Sequence, residues 1–65
     1  MSEVARQARD VLARVIGDRP VDIHTVQAAL ADIQVLRPLD AYDEAVIHEA
    51  GETVLRLIET IRAAQ

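Results

Sequence analysis

The apolar residues at the start of the chain recur about every three or four positions, which is the spacing of one face of a helix. They are Val4, Ala8, Val11, Leu12 and Val15. Ser2 stands where a helix N-cap is expected, and Gly17 stands where the left-handed residue that ends many helices is expected. Pro20 follows shortly after. This segment therefore predicts a helix over 3–16 and a tight connection over 17–21.

A second apolar stripe predicts a helix over 23–36. Its members are Ile23, Val26, Leu30 and Ile33, with Ala29 and Leu36 widening it. Asp22, directly before the stripe, can accept hydrogen bonds from the first free backbone amides of the helix. Val21 and Val26 are placed to form a hydrophobic staple across that cap. Because Pro38 disfavours helical geometry at the residue before it, the helix should end just ahead of it.

The last part of the chain predicts one long helix over 40–64. Its apolar residues step alternately by three and four, the spacing of a seam that packs against another helix. They are Ile47, Ala50, Val54, Leu57, Ile61 and Ala64. Such a helix spans roughly 36 Å, against about 21 Å for each shorter one. The sequence therefore predicts an all-α fold, a single three-helix domain over 1–65 with two short helices packed on one long C-terminal helix.

The small size of the domain favours assembly with a second copy. The chain has 65 residues and no Cys, Trp or Phe, and Tyr42 is its only aromatic residue. Burial of such a core roughly balances the conformational entropy lost on folding, and no disulfide can add to it. We therefore expect a homodimer in which the third helices of two copies pair along 47–64. The spacing is compatible with both parallel and antiparallel pairing.

The long helix also supplies the residues that we predict to contact a partner. This set comprises Tyr42, Ile47, Ala50, Gly51, Val54, Leu57, Ile58 and Ile61. Tyr42 belongs to it because aromatic residues are enriched among those that dominate interface energetics. Gly51 beside Ala50 makes a patch of small residues where another backbone can approach closely. A helix kink or a glycine without a special role is an equally good explanation of Gly51.

The chain is acidic, with eleven Asp and Glu residues against seven Arg and a net charge of −4 at pH 7. The acidic residues of the long helix define a candidate acidic face: Asp40, Asp43, Glu44, Glu49, Glu52 and Glu59. Such a face can steer a protein onto a basic surface and occlude it. Alternatively, these carboxylates interact with the helix dipole near the helix start and otherwise keep the protein soluble.

Few residues could support catalysis or metal binding. Glu44, His48 and Glu52 are spaced by four on one helical face, but three ligands on an exposed face rarely close a metal site. Without Cys, Lys or a glycine-rich phosphate loop, the chain lacks common nucleophiles and cofactor-binding motifs. We therefore expect no enzymatic activity, no metal, no cofactor and no small-molecule substrate.

Two further partner classes are disfavoured by composition. The acidic balance and the lack of an aromatic platform for stacking bases argue against direct binding of nucleic acid. No apolar run approaches the length of a membrane span, and no leader-like segment precedes the first helix. We therefore expect a cytoplasmic protein that does not bind membranes.

These exclusions favour a function in protein recognition. The expected function is a non-catalytic helical protein–protein interaction module, such as a homodimerising adaptor, a regulator or a small subunit of a complex. The alternative is a small acidic inhibitor, of the antitoxin, immunity or phage-encoded type. Such an inhibitor would occlude a basic or hydrophobic site on a larger protein.

Overall fold

The structure is a computed structural model that describes residues 2–17 and 20–65. These residues form three helices, α1 (Glu3–Val15), α2 (Ile23–Gln34) and α3 (Ala41–Ala63), and no strand. The predicted all-α three-helix fold is confirmed. Each helix begins within one residue of its predicted start and ends one or two residues before its predicted end.

Each helix is preceded by an N-cap residue whose side chain accepts a hydrogen bond from the backbone N–H three residues later. The three pairs are Ser2 with Ala5 at 3.0 Å, Asp22 with Thr25 at 2.7 Å, and Asp40 with Asp43 at 2.9 Å. These bonds satisfy amides that have no partner within the helix, which explains why the helices begin where they do.

The end of α1 differs from the prediction. None of the described glycines has a positive φ, so Gly17 is not the left-handed residue that was expected there. The helix ends at Val15, and the C-cap residue Ile16 has φ −110° and ψ 121° and donates its N–H to the carbonyl of Leu12 at 3.1 Å. An extended residue therefore ends α1 without the need for glycine. Two residues of the predicted 17–21 connection, Asp18 and Arg19, lie outside the described residues.

The three helices run up, down and up. Ser2, at the start of α1, bonds to Asp43 in the first turn of α3, so α1 and α3 run parallel. The short connection over 35–40 returns the chain from α2, so α2 runs antiparallel to α3. Every helix packs against both others. An exposed ion pair between Arg14 and Asp32, with 2.8 Å between N and O, also joins α1 to α2.

The core is built from small and β-branched side chains contributed by all three helices. Its buried members are Ala8, Val11, Val15, Val26, Ala29, Ile33, Ala50, Val54 and Ile58. Ala50, Val54 and Ile58 belong to the predicted partner interface. The prediction that they contact a partner needs correction, since they are buried in the core of one chain. The reason is that α1 and α2 each cover one flank of α3, so the centre of the apolar seam is buried within a single chain.

Asp43 is the one charged residue among the buried side chains of the described chain, and it is fully buried. One carboxylate oxygen accepts a hydrogen bond from the Ser2 hydroxyl, and the other accepts one from the Leu39 N–H at 3.0 Å. Buried carboxylates are tolerated when hydrogen bonds replace the lost water. Asp43 therefore holds the start of α1 and the α2–α3 connection against the first turn of α3.

We predict that Asp43→Asn lowers the free energy of unfolding by about 1–3 kcal/mol, because one of its two donors then faces an amide NH₂. Chemical denaturation monitored by circular dichroism measures this. Glu49→Gln removes the same charge from an exposed position of α3 and should change stability by less than about 0.5 kcal/mol. Equal losses for the two variants would contradict the structural role of Asp43.

The Asp22 cap predicts a second effect, on pH dependence. Hydrogen bonding, first from the Thr25 backbone N–H and then from its hydroxyl, holds the pKa of the Asp22 carboxyl below its ordinary value of 3.8. The cap's charge-dependent stability is thus complete above that value and is lost as the pH falls through the lower, folded-state pKa. Asp22→Asn keeps a capping acceptor that does not titrate. Thermal unfolding across the acidic range should show wild type losing stability relative to this variant, and parallel curves would contradict the prediction.

Candidate interaction surface

A groove of about 260 Å³ runs along the surface between α2 and α3. Its lining is mainly aliphatic and consists of Leu30, Ile33, Gln34, Leu36, Ile47, His48, Gly51, Glu52 and Leu55. Concave apolar surfaces with a few polar groups at the edge are the usual form of a binding site. We refer to this surface as the α2–α3 groove.

The spacing of α3 places three groove residues in one row. Ile47, Gly51 and Leu55 are each four positions apart, so they lie above one another on the helix surface. This row is adjacent to the buried row Ala50, Val54 and Ile58, since Gly51 and Leu55 each follow one of its members by one residue and Ile47 precedes Ala50 by three. The groove is thus the edge of the α3 seam that α2 leaves partly uncovered.

Gly51 leaves a gap in the middle of that row. A Cβ atom built at Gly51 would have Ile33 Cγ2 as its nearest non-local neighbour, at 4.0 Å, which is an ordinary van der Waals distance. Packing within the chain would therefore accept alanine there. A close approach by another helix of the same chain is therefore not the reason for glycine at this position.

Large apolar side chains are exposed along and beside the groove. Leu55, which lines it, is 47% exposed. Val35 and Leu39, which belong to the same connection as the groove residue Leu36, are 74% and 78% exposed. Single exposed leucines are common, but a large apolar side chain exposed in a concave apolar surface, as Leu55 is, is typical of an interaction site.

Charged residues of both signs lie at or beside the groove, since the exposed Arg37 directly follows the lining residue Leu36 and the exposed Arg56 lies one turn after Glu52. Glu52 lines it and lies 3.5 Å from His48 Nε2, and both side chains are mostly exposed. Glu44 is exposed and one turn before His48 on the same side of α3. The α2 side contributes the neutral amide of Gln34, and none of the groove-lining residues is an arginine.

A smaller depression of about 210 Å³ lies on the opposite flank, between α1 and α3. Glu49 lines it together with Arg9, whose guanidinium lies 5.8 Å from the centre of the Tyr42 ring and bonds to its hydroxyl. Tyr42 is half exposed and interacts with α1 of its own chain. Because nine residues separate Tyr42 from Gly51, the two face opposite sides of α3.

The predicted interface residues therefore do not form one surface. Ala50, Val54 and Ile58 are buried, and Tyr42 lies on the α1 flank. Ile47 and Gly51 line the α2–α3 groove, whereas Leu57 and Ile61 pack partly buried against the core.

The predicted acidic face also needs correction. Asp43 is buried by its hydrogen bonds to Ser2 and Leu39, so it cannot act as a surface charge. The remaining members are exposed and are Asp40, Glu44, Glu49, Glu52 and Glu59. At 3.6 residues per turn, the four glutamates fall on one broad, solvent-facing side of α3, with Glu52 at its groove edge and Glu49 at the edge that lines the α1–α3 depression.

Sequence reasoning missed the aliphatic residues that make the groove, namely Leu30, Leu36 and Leu55. Leu55 had a usable signal, because it lies four residues after Gly51 and eight after Ile47. The contribution of α2 had no such signal. It depends on which edge of α2 faces α3, and the spacing of the α2 stripe does not show which of its members remain at the surface.

The described residues hold no group of three His, Asp or Glu side chains able to bind a metal ion. Within the same ranges, no helix combines the length and apolar character needed to cross a membrane. No known family's sequence profile matches the chain, and comparisons with curated proteins and with solved structures found no significant match. The surface itself is thus the basis for assigning function.

We predict that Gly51→Ala stabilises the isolated protein by about 0.5–1 kcal/mol, because alanine is the better helix former and the added methyl meets no obstruction. Thermal unfolding measures the change. Ala45→Gly, at an exposed position of the same helix, is the matched control and should destabilise by a similar amount. A lower midpoint for Gly51→Ala would show that the chain's own packing requires the glycine.

Proposed function

We propose that this protein is a non-catalytic protein–protein interaction module that binds its partner through the α2–α3 groove. The observation that carries the proposal is the groove itself, an apolar concavity beside exposed aliphatic side chains in a domain that has already covered its central seam. Apolar surface of this kind gains free energy when a second protein removes it from water.

Self-association has less support than the sequence suggested. The homodimer was expected to pair residues 47–64, yet Ala50, Val54 and Ile58 at the centre of that seam are buried within one chain. A homodimer therefore remains a prediction, with an interface formed by residues other than these three. Measuring the mass in solution by light scattering across a dilution series distinguishes a monomer from a homodimer.

The second candidate is a small acidic inhibitor that occludes a basic or hydrophobic site on a larger protein. The observation that favours it is the set of exposed carboxylates on the solvent-facing side of α3, formed by Glu44, Glu49, Glu52 and Glu59. Electrostatic steering of this kind weakens as salt rises, whereas a mainly apolar interface is much less sensitive. The salt dependence of binding therefore separates the two candidates.

We expect Leu55→Glu to abolish capture of the partner from the native host, because it places a charge at the edge of the apolar groove. Affinity capture with quantitative mass spectrometry compares this variant with wild type. The matched control is Ala13→Glu, which places the same side chain at an exposed position of α1 away from the groove. A partner retained by Leu55→Glu as well as by the control would show that function resides elsewhere.

A further inference from the structure

We infer that the first two turns of α1 form a latch, which opens locally while the remainder of the domain stays folded and thereby releases Tyr42. The latch comprises residues 2–9 and is closed in this structure by two polar contacts with α3. One joins Ser2 to Asp43, and the other joins Arg9 to Tyr42. This inference does not depend on the α2–α3 groove, because the latch lies on the opposite flank of α3.

The two halves of α1 differ in how much apolar surface they bury. The fully buried side chains of the latch are Ala5 and Ala8, each of which contributes a single methyl group, and Val4 is only partly buried. The second half of the helix instead buries Val11 and Val15 in the core. Because hydrophobic stabilisation scales with the apolar area removed from water, the latch is held less firmly than the second half.

Water can replace the polar contact at the start of the latch. Asp43 is fully buried, its hydrogen-bond donors are the Ser2 hydroxyl and the Leu39 N–H, and no ion pair within the described residues involves it. A buried carboxylate without a cation has lost the hydration that it would have at the surface. Opening the latch removes the Ser2 hydroxyl but returns water to this carboxylate, while the local Leu39 bond remains. The charge of Asp43 therefore lowers the free energy that opening requires.

Opening the latch exposes an aromatic surface that the closed form only half presents. The Tyr42 hydroxyl is bonded to Arg9, whose guanidinium lies 5.8 Å from the centre of the ring. Arg9 also lines the α1–α3 depression, together with Val46 and Ala50 of α3. When the latch moves away, the ring and this part of the depression become accessible together. Because aromatic side chains often dominate interface energetics, the latch controls whether the protein's single aromatic side chain is available to a partner.

The latch can be observed directly, because Tyr42 is the only aromatic residue in the chain. Its near-ultraviolet circular dichroism and fluorescence report on the latch, whereas far-ultraviolet circular dichroism reports on all three helices. We expect the Tyr42 signals of the wild-type protein to change at a lower denaturant concentration than the far-ultraviolet signal. Coincident transitions are the mark of two-state unfolding and would overturn the inference.

Hydrogen exchange locates the opening along the chain. The backbone amides of residues 7–9 should be protected at least about tenfold less than those of residues 54–58, because local opening costs less than global unfolding. Ser2→Asp keeps a good N-cap residue but brings a second carboxylate to Asp43, so it should speed exchange in the latch about tenfold more. Gln7→Glu adds the same charge at an exposed position of the latch and should leave exchange unchanged.

Each alternative result has a definite meaning. Fast exchange in the latch that Ser2→Asp leaves unchanged would be ordinary fraying of a helix end and would overturn the inference. Equal acceleration of residues 54–58 would also overturn it, because the variant would then act on the whole domain. Neither result bears on the proposed function, which is tested separately by Leu55→Glu at the groove.

Discussion

The row formed by Ala50, Val54 and Ile58 on α3 is the surface on which both other helices pack, and the rest of the architecture depends on it. Its side chains are small or branched, so α1 and α2 can both approach α3 closely. Because the two helices pack on opposite flanks of this row, each leaves an edge of α3 partly open. The α2–α3 groove and the α1–α3 depression are those two edges. The same packing that completes the core therefore creates the candidate interaction surface.

The bundle is aligned at one end by polar contacts. Asp43 accepts hydrogen bonds from the N-cap side chain of α1 and from the Leu39 backbone before α3. A buried carboxylate oxygen is costly to leave without a donor, and another alignment of α1 would remove the Ser2 hydroxyl while the local Leu39 N–H remains. We infer that Asp43 sets the relative positions of α1 and α3. That alignment places Arg9 beside Tyr42 and covers the α1 flank of the long helix.

The two flanks of α3 differ in the side chains that they expose, and this difference bears on function. Tyr42 and Arg9 interact with each other on the α1 flank, so the protein's single aromatic side chain is partly used within the fold. The α2 flank instead presents exposed aliphatic side chains, a helix glycine with space around it, and a single lining carboxylate, that of Glu52. This difference is the basis for proposing the α2 flank, rather than the α1 flank, as the interaction surface.

The sequence by itself determined the three helices, because capping residues and apolar spacing act locally: Asp22 with Thr25 is an interaction within one turn. It also determined which face of α3 is apolar. Only the tertiary structure decided what covers that face, since pairing of Val54 with a second copy and burial under α1 and α2 require the same spacing. It likewise decided that Asp43 is buried while Glu44 is exposed, because burial depends on where Ser2 lies in space. Interactions within one helical turn can be predicted from the sequence. Whether an apolar or charged side chain lies in the core or at the surface depends on residues far away in the chain.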